Sequence, residues 1–268
     1  MIPSLLTETV TYDLERAVHY ALLWGLEGLE LGRVGGIRDR VPFINEQKLK
    51  ARLRASELPV IAVDPGTFVG DVAERSAWLN ELVQLDETLR FCARIGCPRI
   101  VVSSLRGEGK DAFTGAVEAL RAAGRKAERS GIRLCVINEA SYLAASGEEL
   151  ALLLEAVNLE AVRAAWDPAA AVQSGEEADA GLAALGGRVE LVRCRNGERT
   201  GNGWEPRPID SGEVDWSSQL RALAYDGFDG PLSLDVDVVP AGTEGLRGST
   251  ALIRRLRSAV REVRVGDR

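Results

Sequence analysis

The sequence contains one histidine, His19, in 268 residues. It falls inside a predicted helix, away from any acid at a strand end, so it reads as a surface or interface residue rather than a catalytic one. Four cysteines (Cys92, Cys97, Cys135 and Cys194) are spread along the chain with no C-x-x-C spacing. This argues against a zinc or redox motif and leaves buried free thiols as the expectation. No apolar run approaches the roughly 18 residues of a membrane span. Met1 is followed directly by Ile2-Pro-Ser-Leu, without the charged and apolar regions of a secretory signal, so the chain reads as cytoplasmic with no membrane partner. A basic tract is also missing: 33 Lys and Arg are scattered among 40 Asp and Glu, the net charge is -7 and the pI is near 5.1. A nucleic-acid partner is therefore not expected. No glycine-rich phosphate cradle opens a helix, so Arg106 and Arg207 stand as isolated candidates to receive a phosphate.

What is present is an ordinary globular composition, 46% hydrophobic and 27% charged, arranged as a recurring strand and helix unit. Short apolar runs at 2–6, 24–32, 60–64, 99–104, 132–139, 162–167, 189–196 and 230–237 read as strands. Between them lie segments with apolar residues at helical spacing: Leu14, Ala17, Val18 and Ala21 behind the capping residue Asp13; 45–56; 71–95, stopped by Gly96 and Pro98; 112–130; 147–157; 178–185; 212–224. A helix over 247–263 closes the chain, and 197–212 reads as a polar loop. Eight such units with no linker between halves predict a single-domain α/β fold over 1–268, a closed (β/α)8 TIM barrel. The open doubly wound sheet reads alike locally.

In parallel α/β sheets ligands meet the carboxyl ends of strands. Glu139, Asp167 and Asp235 stand at three such ends, with Asp237 two residues beyond Asp235, Arg193 and Arg195 on the seventh strand, and Glu30 a secondary candidate on the second. Side chains alternate along a strand, so Ile137 shares a face with Glu139, Arg193 with Arg195, and Asp235 with Asp237. Ser103, Ser104 and Arg106 lie at a loop mouth. The loop at 196–211 is long enough to act as a lid carrying Trp204 as a stacking surface for a sugar; an exposed connection or oligomer contact fits it equally. The plain alternative for the charged ends is a set of rim salt bridges.

Four motifs carry a family resemblance over nearly the whole chain: Trp24-Gly-Leu-Glu-Gly-Leu-Glu30-Leu, Trp166-Asp167-Pro168, Gly212-Glu-Val-Asp-Trp216 and Asp229-Gly-Pro-Leu-Ser-Leu-Asp235. In their order and spacing the sequence resembles the xylose isomerase-like barrels, sugar phosphate isomerases and epimerases. The resemblance implies a divalent metal (Mn, Mg or Zn) held by Glu, Asp, His and Glu on strands five to eight. Here those places hold Ile137, Asp167, Arg193 and Asp235, with Glu139 two residues beyond Ile137, and Ala170 stands where a further histidine is common. Arginine stays protonated and cannot ligate a metal. The expectation is that the Arg193 guanidinium replaces the metal, bracing Asp167 and Asp235 and leaving Glu139 free to face a ligand; should a metal bind, Asp167, Asp235 and Glu139 are its ligands.

The activity so implied is sugar or sugar-phosphate isomerisation or epimerisation by proton transfer next to a carbonyl. Glu139 or Asp235 serves as acid or base, Asp167 as the orienting group, and Arg193 or Arg195 steadies the developing enolate. Glu30, Arg195, Trp204 and Asp237 are the substrate contacts. The alternative is a catalytically inactive barrel that binds a sugar, polyol or acidic metabolite. A homodimer is compatible with either.

Overall fold

The structure of the protein is a computed structural model and describes residues 1–266. Eight parallel strands close into a barrel: β1 (Ile2–Leu6), β2 (Gly28–Leu31), β3 (Val60–Val63), β4 (Arg99–Val102), β5 (Arg133–Ile137), β6 (Val162–Trp166), β7 (Val189–Cys194) and, after a two-stranded hairpin of β8 (Asn196–Thr200) and β9 (Gly203–Arg207), β10 (Pro231–Leu234). The order around the barrel is β1-β10-β7-β6-β5-β4-β3-β2, and β1 closes on β10 through the pairs Ile2 with Pro231 to Leu5 with Leu234.

Each barrel strand feeds a helix on the outside. These are α1 (Leu14–Leu23), α2 (Glu46–Ser56), α3 (Arg75–Ile95), α4 (Gly109–Arg129), α5 (Gly147–Val157), the pair α6 (Pro168–Ser174) and α7 (Ala178–Leu185), α8 (Trp216–Tyr225), and α9 (Ala241–Gly266). The starts are written in the sequence. Asp13 and Asn45 accept the backbone N–H of Arg16 and Lys48, and Ser146 with Glu149 forms a reciprocal capping box. Such caps satisfy N–H groups that a helix's first turn leaves without partners.

Strand alternation divides the core in two. Val136, Trp166, Val192 and Leu234 join the large apolar cluster that includes the helices, whereas Ile61, Val101, Cys135, Ile137, Ala165 and Leu191 pack in a second, smaller cluster. Continuing that parity past the strand ends brings Glu139, Asp167, Arg193, Arg195, Asp235 and Asp237 to the mouth.

Two elements differ from the sequence expectation. The segment expected as a polar loop from 197 forms the β8–β9 hairpin, because Gly203, at a φ of 110°, supplies the left-handed turn that brings Thr200 opposite it. The short helix α6 was also unread: its run of alanines lacks an amphipathic period, yet Pro168 at the first turn and Asp167 as the cap suffice to start it.

Candidate active site

A cavity of about 410 Å³ opens at the carboxyl end of the barrel. Its wall includes Glu139, Asp167, Arg193, Arg195, Asp235 and Asp237, so six of the eight side chains expected to serve the site converge there.

The deepest polar layer is an ion pair. Glu30 on β2 is fully buried; one carboxylate oxygen accepts from Arg193 Nη2 and the other from Ser233 Oγ. Burial raises the Glu30 pKa, and Arg193 and Ser233 offset part of that rise. Burial opposes the charge on Arg193 as well, but the carboxylates of Glu30, Asp64, Asp235 and Asp167 outweigh it and hold the proton more firmly. The sequence expectation that Arg193 braces Asp167 and Asp235 is therefore corrected. Its bonded partner is Glu30, with Asp64 at 3.8 Å, because the guanidinium reaches across the barrel toward β2 and β3. Glu30 lies beneath the cavity wall as the counter-charge and is not a lining residue.

Asp167 is held by the next arginine. Arg195 Nε donates to Asp167 at 2.7 Å, while Arg195 Nη1 donates to Asp237 at 3.2 Å. The other Asp167 oxygen accepts from the backbone N–H of Ala170, and Asn138 exchanges two 2.8 Å hydrogen bonds with the Asp167 backbone. Both oxygens of Asp167 are thus occupied by protein donors.

Two carboxyl groups remain available. Glu139 is half-buried and accepts one hydrogen bond, from Ser103 Oγ at 3.1 Å. Burial raises its pKa and the serine lowers it in part. Asp235 is pushed up to about 8, first by burial and then by the neighbouring charge of Asp237. Its Oδ1 is buried without a partner, and so is Nε of Arg193. A buried donor and a buried acceptor on residues lining one cavity each forfeit about 1–3 kcal/mol until something satisfies them.

Sequence reasoning left out part of the rim. Arg40 donates to Asp64 at 3.0 Å and to Glu8 at 3.2 Å, and Arg33 lies 3.5 Å from the same Glu8. Glu8 and Asp64 follow β1 and β3 within two residues, so the strand-end rule that singled out Glu139 applies to them equally. Gly66, at a φ of 70°, lets Arg40 lie close against the backbone: a Cβ there would lie 3.0 Å from Arg40 Nη1.

Trp204 does not reach the cavity. It lies on β9 against Gly197, which has no side chain to hold it off, and packs on the apolar core. Arg207 pairs with Glu198 and Glu205 on the same hairpin, and Arg106 lies over the Tyr142 ring. His19 is exposed on α1, and all four cysteines are buried and unpaired.

The residues at the mouth do not fit a divalent metal. Among the described residues no group of three or more His, Cys, Asp or Glu side chains is placed to hold one. The reason is chemical: Ile137 offers no donor, Arg193 brings a positive charge, and the oxygens of Asp167 are already taken.

A family model described as the xylose isomerase-like TIM barrel matches residues 18–258. Among solved structures, an L-ribulose 3-epimerase superposes with a TM-score of 0.81 at 13% identity, covering 100% of this chain and 98% of that one. The apo form of a 3-keto-D-glucoside 4-epimerase from E. coli gives 0.74 at 17% identity, over 95% of this chain and 99% of its own. A xylose isomerase-like barrel protein from Mycobacterium smegmatis, solved in complex with magnesium, gives 0.75 at 12% identity over 92% and 89%. At such identities the likeness establishes the fold. No curated protein matches the chain. With the family model spanning the barrel from α1 to α9, the chain belongs to the xylose isomerase-like TIM barrel family.

Proposed function

We propose that the protein isomerises or epimerises a small sugar by proton transfer next to a carbonyl, with Arg193 rather than a metal steadying the negative charge. The observation that carries this reading is the presence, around one cavity, of two carboxyl groups with raised pKa and an unpartnered guanidinium N–H. Proton exchange at carbon next to a carbonyl needs a base, an acid and a donor to the developing oxyanion, and acids tuned toward neutrality serve it best.

In the proposed reaction the Glu139 carboxylate removes the proton from the carbon next to the carbonyl. The C–H electrons form the C=C bond of an enediolate, and the carbonyl oxygen takes up the negative charge. Arg193 Nε–H donates to that oxygen. Asp235, protonated below about pH 8, then returns a proton to the same carbon from the opposite face, which restores the carbonyl and inverts the centre. In isomerisation Asp235 protonates the former carbonyl oxygen and takes the proton of the neighbouring hydroxyl as that becomes the new carbonyl, while Glu139 gives its proton to the former carbonyl carbon. β5 and β10 are separated by β6 and β7 around the ring, so Glu139 and Asp235 approach a ligand from different sides. Val69, Val101, Val102 and Ile137 supply the apolar strip for the C–H face. Asp167 takes no proton here; it positions Arg195, which closes the wall with Asp237. The sugar epimerases among the structural relatives support the substrate class.

A second reading, a barrel that binds a polyol without turnover, is favoured by one observation: Arg195 spends its charge on Asp167 and Asp237. A melting-temperature screen of ketoses and polyols, followed by NMR of any ligand in D2O, separates the two. Deuterium entering the carbon next to the carbonyl is the expected result. Binding without exchange would leave only the second reading.

A further inference from the structure

We infer that the cavity selects an uncharged sugar over its phosphate ester, an inference that rests on the sugar reading above and names its substrate class. A phosphate monoester brings a charge of about -2 and binds where several N–H donors are free to meet it, on unpaired arginines or at a helix N-terminus. Among the residues that line this cavity neither is on offer.

Every guanidinium lining the cavity is already matched to a carboxylate. Arg33 and Arg40 share Glu8, and Arg40 also holds Asp64. Arg193 is bonded to the buried Glu30, and Arg195 spans Asp167 and Asp237. The balance of the wall is acidic: four arginines face six carboxyl groups, and with Asp235 protonated five charges still oppose four. The Glu30 carboxylate beneath adds to the same side.

The helix terminus nearest this wall is closed too. At the start of α6, Pro168 has no N–H, and the Asp167 carboxylate takes the N–H of Ala170, so an incoming anion would meet a carboxylate where a free donor would be needed. On the β8–β9 hairpin, Arg207 is bound to Glu198 and Glu205 at 2.5 and 2.9 Å, and Arg199 donates to the Val172 carbonyl and does not line the cavity. Neutral hydroxyls face no such penalty: they donate to surplus carboxylates and accept from Arg193 Nε–H in the same pose.

The test is calorimetric titration of the intact protein with D-fructose, D-tagatose, their 6-phosphates and inorganic phosphate, at low and physiological salt. The parent sugar is expected to bind at least tenfold more tightly than its ester, with the gap shrinking as salt screens the repulsion. Glu8→Gln, which releases Arg33 and leaves Arg40 with Asp64 alone, should narrow the gap by improving ester binding; a merely structural role would weaken sugar and ester alike. An ester or inorganic phosphate binding as tightly as the free sugar overturns the inference while leaving the sugar reading standing, as does a gap that Glu8→Gln leaves unchanged. If neither sugars nor esters bind, the sugar reading itself falls and the inference with it.

Discussion

Replacing Glu30 by glutamine keeps the volume of the side chain and removes its charge from the floor of the cavity. Glu30 is 0% exposed, and its two oxygens take Arg193 and Ser233. Without it Arg193, whose side chain is 11% exposed, faces Asp64 at 3.8 Å as its nearest remaining carboxylate. Removing one partner of a buried ion pair costs about 3–5 kcal/mol, since the other charge stays desolvated and uncompensated. The glutamine carbonyl still accepts from Arg193, which brings the expected loss to about 3 kcal/mol, or a fall in Tm of about 6 °C for a chain of this length. Urea denaturation monitored by tryptophan fluorescence measures it. The Arg193→Met change in the Glu30→Gln background should recover part of the loss, with a coupling energy of about 1–3 kcal/mol in the double-mutant cycle. A Glu30→Gln protein within about 1 kcal/mol of wild type, or additive double-mutant behaviour, would refute the view that this pair is the charged anchor of the site.

Asp235→Asn should stabilise the protein increasingly as pH rises. The folded carboxyl titrates near 8 and an unfolded one near 4, so between those values the unfolded chain ionises while the folded one stays protonated, wild type loses stability as pH rises through that window, and asparagine does not. The difference in unfolding free energy between Asp235→Asn and wild type, from urea denaturation, should grow by a few kcal/mol from pH 5 to pH 8, and a constant difference contradicts the assignment. If the proposed chemistry holds, activity declines as pH climbs through about 8, where Asp235 gives up its proton, and Ser103→Ala moves the acidic limb upward by removing the hydrogen bond that favours the Glu139 carboxylate. That limb staying in place would remove Ser103 from the account. None of the four thiols should react with a disulfide reagent in the native protein and all four should react in denaturant, because each cysteine is buried; rapid native labelling would show a different packing.

The barrel was legible because its signals are local and repeated: a cap, an apolar helix face, a glycine or proline stop, and a short apolar strand. Strand parity likewise placed Glu139, Arg193, Arg195, Asp235 and Asp237 on one wall. What parity could not supply was pairing across the barrel. Arg193 and Glu30 are 163 residues apart, and which carboxylate a long guanidinium reaches depends on the closure of β1 on β10 and on the Ser233 hydroxyl, neither of which leaves a pattern in the chain. Trp204 was misplaced for a related reason. A tryptophan in a glycine-rich stretch reads as a loop tip, yet Gly197 opposite it creates a seat on the hairpin. Glu8 was open to the strand-end rule but sits in a short helical turn, Thr7–Thr9, behind β1, and Arg33 and Arg40 were missed because they lie in a loop whose path only the ion pairs with Glu8 and Asp64 reveal.

The central claim is that proton transfer here runs on carboxylates and a guanidinium. The most direct measurement is NMR of a bound ketose in D2O, with protein treated with a chelator and its metal content measured. The account predicts deuterium at the carbon next to the carbonyl at the same rate before and after chelation, and loss of exchange in Glu139→Gln. Exchange that disappears with the chelator and returns with manganese, magnesium or zinc would contradict it.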